Sequence, residues 1–502
     1  MHERYEKEKI KAIWINENKL ALWQETELAV IKANCNLGKF PAEVFIKMNQ
    51  FLTQAPIDIS WWKKRDVEIR HDLNAFLEER IRFISPDLQQ YWHKNITSYD
   101  TEEPAFAKML KMSVDIVGDS CDKLLATLFE LAKKYRYTIM NARTHGMEAK
   151  LQSLGKRCLT WLKELWIGYG NLQTASKNLN YSKLSGAIGN YGGLDPEMEK
   201  EALVILGFMP FLGATQIMPR ILYAPLAEAL CQIVQTLDKI ATDIRLGARS
   251  GRPIFQEPFG KTQKGSSAMP HKKNTISTEQ LEGMARMAKG YLIMIMDNIK
   301  TWEERAIEQS CVERVAWPDL FHVTVHSLEN MNKVLSGLVV FPDNMLQEIV
   351  ESRGCYASDE AKELLKELGA PFGLTSEEAY RIIQLAAFNA FEISENRQIF
   401  RAAIAESLEE ADRFLTGFKL LRASDPREFA CQPTVTLETI IASGLLSTSP
   451  QLEASAETVE QWNKILSQIF NDPGNLRRWQ EIFQPSFLLK NEAKLYKEIL
   501  GK

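Results

Sequence analysis

The chain has 502 residues, a formal net charge of −4, 45% hydrophobic residues and 25% charged residues. It is too long for one ordinary core, so two to four globular domains are expected. The charge excludes a global basic field for nucleic acid, and no run of 18 apolar residues exists to form a membrane span. The seven cysteines (35, 121, 158, 231, 311, 355, 431) show no C-x-x-C spacing. That set fits reduced thiols in a cytoplasmic protein better than disulfides or zinc. The opening Met-His-Glu-Arg-Tyr-Glu-Lys is charged and lacks the apolar stretch of a signal peptide.

Residues 5 to 35 carry Ile10, Ile13, Trp14, Leu20, Leu22, Trp23, Leu28 and Ile31 at helical spacing. Pro41 opens another helix, at a first-turn position that tolerates it. His71-Asp72 stand directly before a helical pattern, and from the residues alone such a histidine reads as an ordinary surface or core residue. Thr97-Ser98-Tyr99-Asp100 reads as a cap for a helix that starts near Glu103. From Phe106 to Tyr137 apolar residues keep helical spacing for about 30 residues. That is well beyond the usual ~11–12 residues and predicts a long bundle. Similar patterns recur at 150–175, 222–249, 276–300 and 318–338.

Between these patterns lie Asn141-Ala-Arg-Thr-His-Gly146, the glycine-rich turn from Leu184 to Gly192, Gln216-Ile-Met-Pro-Arg220, and Thr301 to Arg314. Ser310 and Arg314, four residues apart, share a helical face suited to gripping a phosphate. The plainer reading makes Arg305 and Arg314 helix-surface charges. Beyond Pro426, with Pro433, Gly444 and Pro450, the spacing of Trp462, Ile465, Leu466, Ile469 and Phe470 predicts a folded helical tail.

The most informative stretch is Lys261-Thr-Gln-Lys-Gly-Ser-Ser-Ala-Met-Pro-His-Lys-Lys-Asn274. No Asp or Glu occurs from Pro258 to Thr278, while four lysines and His271 do. Gly265 and Pro270 bracket the paired serines, so helix is excluded there. Ser277-Thr-Glu-Gln280 reads as a capping box. The free N–H groups of that helix start are expected to face the loop and favour an anion. A solvated basic loop is the bland alternative. The order of residues, however, resembles the signature loop of the fumarase/aspartase superfamily, and Gln263-Lys264 narrows the likeness to the adenylosuccinate lyase family. Arg4-Tyr5, Trp23 to Glu27, Arg70 to Phe76, His93 to Asp100, Thr144-His145, Gln216 and Trp302 to Arg314 are similar to segments of that family.

What the resemblance implies is an all-α, three-domain lyase with a long central bundle, assembling as a homotetramer through that bundle. The expected division is 1–104, 105–342 with the loop 261–274, 343–425, and an accessory tail 426–502 remote from the chemistry. Three chains are expected to share each active site. The reaction implied is β-elimination of fumarate from succinyl nucleotides, with no cofactor, metal, nucleic acid or membrane. Ser266 is the implied base, with Ser267 as fallback, and His145 the general acid, imidazole being the side chain suited to proton transfer at neutral pH. His71 would assist it and Glu279 would orient it. Lys272, Asn274 and the helix start would meet the charge of the dianionic intermediate.

The implied substrate contacts are Arg4, Tyr5, Arg70, Asp72, Thr97, Ser98, Thr144, Gln216, Ser267, Met269, Asn274, Arg305, Ser310 and Arg314. Arg4, Tyr5, Ser310 and Arg314 would take the phosphate and Thr97-Ser98 a carboxylate; His93 is a further candidate. The chain departs from the family pattern at Lys94, Asn95, Met147, Glu148, Lys150, Leu151, Gln152, Ile221, Ala306 and Gln309. A carboxymuconate cycloisomerase-like enzyme and a non-catalytic protein on the same bundle are the alternatives.

Overall fold

The computed structural model describes residues 1–395, 436–449 and 451–500. The boundary expected at Pro426, with Cys431, Pro433 and Pro450, lies outside the described residues. As the all-α reading expected, the described chain is mostly helical; its strands form only three two-stranded pairs. No described helix is long and apolar enough to cross a membrane. Two compact units divide the chain. One holds 1–127, 164–246 and 257–337; the other holds 128–163, 247–256 and 338–502.

The first unit begins with Glu8–Trp14 and Asn16–Asn36, not with one helix. Ile15 is extended, and the Asn18 amide takes the freed Ile13 carbonyl at 2.7 Å. Leu20, Trp23, Met48, Trp62, Phe76 and Trp92 form a core with Met109 of the helix Ser98–Lys134. Each fully buried apolar side chain of this size contributes about 1.5–3 kcal/mol. That helix starts earlier than expected because Thr97, not Glu103, is its boundary: the Asp100 carboxylate accepts the Thr97 N–H at 2.9 Å. Asp100 is also paired with Lys183 at 2.7 Å, both side chains fully buried.

Ala224–Gly247, Ile276–Asp297 and Glu308–Ser336 complete the long helices of this unit. The last takes in Ser310 and Arg314 as well as the periodic stretch from 318. Ser98–Lys134 and Leu154–Ser176 are each divided between the two units.

The second unit carries a feature that helical periodicity did not predict. Ile139–Thr144 and Met147–Ser153 pair as an antiparallel hairpin. The pattern at 150–175 is therefore strand up to Ser153, and helix only from Leu154. The helices Pro342–Glu351, Ser358–Gly369 and Ser376–Glu395 follow. The tail is folded as expected, into Leu437–Ser443, Ala456–Phe470, Pro473–Ile482, Pro485–Leu488 and Glu492–Leu500. One core joins Leu365, Ile382 and Ala386 to Ile440, Trp462, Leu466 and Trp479 of the tail.

Candidate active site

The signature loop is exposed and cationic, and its hydroxyls differ in their surroundings. Ser266 Oγ accepts the main-chain N–H groups of Ala268 at 3.3 Å and Met269 at 3.2 Å. Two N–H donors at one oxygen favour negative charge there. Lys272 turns back on the loop, donating its N–H to the Met269 carbonyl at 2.9 Å. Ser267 and Met269 are exposed, and Asn274 is half-buried.

The helix after the loop is capped differently from expectation. It starts at Ile276, and Glu257 supplies the cap from the far side of the loop. The Glu257 carboxylate accepts the N–H groups of Ser277 at 3.1 Å and Thr278 at 2.8 Å, plus the Thr278 hydroxyl at 2.5 Å. Ser277 is therefore not the cap, and the helix start does not offer those N–H groups to an anion in the loop. A buried carboxylate just outside the acid-free span already fills the place. Glu279 sits 3.7 Å from Arg245 and accepts the Thr275 hydroxyl at 3.2 Å.

A second cluster in the same unit gathers residues from four segments. Asp72 holds Arg314 at 2.9 Å and lies 3.6 Å from Lys19. The Lys19 ammonium stands over the rings of Trp23 and Trp62 at 4.6 and 5.2 Å. Burial, and the negative charge of Asp72 next, push the Glu102 carboxyl up to about 8. His71 caps the helix Asp72–Ile81, its Nδ1 accepting the Asn74 N–H at 3.3 Å, and Arg70 before it is left-handed at φ 54°. His93 Nδ1 lies 2.8 Å from Glu27, whose oxygen also takes the Thr101 hydroxyl.

Arg305 stacks on Tyr99 at 4.0 Å and donates to Gln216 Oε1 at 2.9 Å. Gln309 donates to the Tyr99 hydroxyl at 3.0 Å. Two of the family departures noted above thus flank this stack, since Gln309 meets Tyr99 directly and Ala306 follows Arg305. Arg220, by contrast, is buried against Glu103 and Glu313, so it is a structural cation and not a substrate contact.

The residues expected to grip a phosphate are not brought together within one chain. The Ser310 hydroxyl is buried and donates to the Ile307 carbonyl at 2.8 Å, while Arg314 is exposed and paired with Asp72. Tyr5 packs edge-on against His326 at 5.2 Å, next to exposed Arg4. His326 lies three turns beyond Arg314, about 18 Å along the helix.

His145 belongs to the second unit, at the tip of the hairpin. Thr144 pairs with Met147, leaving a two-residue turn in which His145 and Gly146 have φ of 56° and 80°. Positive φ at both positions is the primed turn that matches strand twist. The second position suits glycine; a histidine at the first is uncommon, and such backbone cost collects at functional sites. Thr144 and His145 are exposed. Among the described residues no group of three or more His, Cys, Asp or Glu is gathered to hold a metal.

Comparison with known proteins bears on this arrangement. A family model described as "Lyase" matches residues 1–290. Adenylosuccinate lyase of Aquifex aeolicus is 34% identical over 429 residues, 86% of this chain and 96% of that one. The chain belongs to the adenylosuccinate lyase family. The enzyme of that name from Thermotoga maritima is 34% identical over 418 residues, covering 82% of this chain and 95% of its own, and that from Bacillus subtilis 33% over 395 residues, covering 78% and 89%. As a member of the adenylosuccinate lyase family, this chain is a lyase of the fumarase/aspartase superfamily. Its fold is shared more widely. A fumarate lyase from Mesorhizobium sp. BNC1 superposes with a TM-score of 0.76 at 17% identity, covering 99% of this chain and 98% of that one. A β-carboxy-cis,cis-muconate cycloisomerase from Acinetobacter calcoaceticus superposes at 0.68 and 17%, covering 95% and 98%.

Proposed function

We propose that the chain eliminates fumarate from adenylosuccinate to give AMP, and from the related ribotide SAICAR to give AICAR, in purine nucleotide synthesis. The observation that carries this reading is the pair of N–H groups on Ser266 Oγ, in a cationic loop of a chain one-third identical to enzymes named for the first reaction. Ser266, as alkoxide, removes the proton from the carbon beside the succinyl carboxylate. The electron pair moves into that carboxylate, giving a dianion that Lys272 and Asn274 meet. It then returns to form the double bond as the C–N bond breaks. The leaving nitrogen takes a proton from His145, with His71 beside it, and fumarate departs. Thr97 and Ser98 hold a carboxylate of the succinyl group, and Arg314 with Arg4 and Tyr5 the phosphate. Asp72 holds Arg314 until the phosphate arrives.

The site is shared among the chains of a homotetramer. Two observations support this. Tyr5 packs on His326, about 18 Å along the helix from Arg314, too far for the two to grip one phosphate. Trp166, Ile167 and Ile293 on bundle helices are 60%, 53% and 63% exposed, as side chains awaiting an obligate interface would be.

The test is a substrate panel, with fumarate absorbance followed on adding adenylosuccinate, SAICAR or argininosuccinate, and lactone formation on adding carboxymuconate. Fumarate from the two nucleotides alone supports the reading. Turnover of carboxymuconate with none of the nucleotides would replace it by the cycloisomerase alternative.

A further inference from the structure

The residues of the tail nearest the C-terminus meet the hairpin that carries His145 at its base. Glu492 Oε1 accepts the Ser153 N–H at 3.0 Å, and Oε2 accepts the Ser153 hydroxyl at 2.6 Å. Ser153 is buried, ends the second strand, and caps the next helix by accepting the Lys156 N–H at 3.0 Å. One turn on, the buried Tyr496 donates its hydroxyl to the Ala132 carbonyl at 3.2 Å. That hydroxyl occupies the space a side chain at position 155 would need: a Cβ on Gly155 would stand 2.0 Å from it. Arg136 covers the Tyr496 ring at 4.7 Å. Leu488 and Leu489 pack against the apolar cluster that holds Ile139 and Leu151, one from each strand.

An isolated two-stranded hairpin is marginal in water and must be held from outside. Besides the apolar cluster of Ile139 and Leu151 with Leu346 and Ile349, its ion-pair anchors are Arg143 to Glu348 at 3.0 Å and Lys150 to Asp359 and Glu360 at 2.9 and 2.7 Å. Exposed pairs of this kind contribute little, about 0–1 kcal/mol. The doubly bonded contact of half-buried Glu492 with buried Ser153 is stiffer than these ion pairs. From Ser153 to the turn is roughly 25 Å of strand. A tilt of only about 2° at the base therefore moves the tip by about 1 Å, and a misplacement of that size can lower turnover ~10²-fold.

We propose that Glu492 and Tyr496 are positioning residues for the general acid, and that the segment from Leu488 to Tyr496 fixes the aim of the hairpin. The proposal departs from the expectation that the tail is remote from the chemistry. This inference rests on His145 being the acid, as argued above.

The experiment uses the full chain carrying Glu492→Gln, with Tyr496→Phe as the milder variant, and reads two quantities. With adenylosuccinate, kcat should fall about ten- to a hundredfold while KM stays within about twofold, and Tyr496→Phe should fall less. Hydrogen exchange at the amides of 139–153 should quicken, while those of 358–369 stay as in the wild type. Faster hairpin exchange with kcat unchanged would reduce the contact to a merely structural one. Unchanged hairpin exchange would overturn the proposal whatever the substrate proves to be. A wild type without lyase activity on any succinyl nucleotide would sink the functional reading instead, leaving the exchange measurement to decide the hairpin.

Discussion

Glu257 binds Thr278 twice, accepting its main-chain N–H at 2.8 Å and its hydroxyl at 2.5 Å. The loop between them is thus closed at its base by one buried carboxylate. Replacing Glu257 with Ala leaves the Thr278 N–H buried without its acceptor, which costs about 1–3 kcal/mol. Thermal unfolding should show the loss, and hydrogen exchange should quicken at 260–280. An unchanged midpoint would mean that water replaces the carboxylate without penalty.

Ser266 and Ser267 should separate sharply. Ser266→Ala removes the oxygen that receives two N–H groups, so turnover should fall by about 10²–10⁴-fold or more, with unfolding unchanged. Ser267→Ala should keep most activity. The opposite order in purified variants would move the base by one residue.

His326 supplies a pH signature. Burial, and next the charge of Lys7, push it down to about 4 from an ordinary 6.5, and both its ring nitrogens are buried without a partner. The unfolded chain takes this proton first on acidification, so the stability His326 contributes is present above about 6.5 and is lost as pH falls toward about 4. Urea midpoints at pH 7.5 and 5 should differ less in His326→Phe than in the wild type. Equal acid loss in both would remove His326 as the cause.

These predictions rest on parts of the molecule that were unequally legible in the sequence. The long helices announced themselves because apolar residues at helical spacing need no partner to be recognised. The hairpin did not. Its residues border a helical pattern, and the turn signal is His145-Gly146 instead of the commoner Asn-Gly. The family was readable from the residue order of the loop, but the loop's cap was not, because Glu257 lies outside the motif and reaches back over 21 residues. The pairing of Asp72 with Arg314 spans 242 residues, and that of Ser153 with Glu492 spans 339. No local pattern encodes contacts at such separations.

A site shared among chains, as proposed, predicts complementation between subunits. His145→Ala and Ser266→Ala proteins should each be nearly inactive. Mixed under conditions that exchange subunits, they should regain activity as hybrid sites take both residues from intact chains. Verified hybrids without recovery would place both residues of a site on the same chain.

The central claim is the bond broken. Wild-type chain incubated with adenylosuccinate and sampled by mass spectrometry should release AMP and fumarate in equal amounts, and Ser266→Ala should release neither. Intact adenylosuccinate after prolonged incubation with folded wild type would contradict the account.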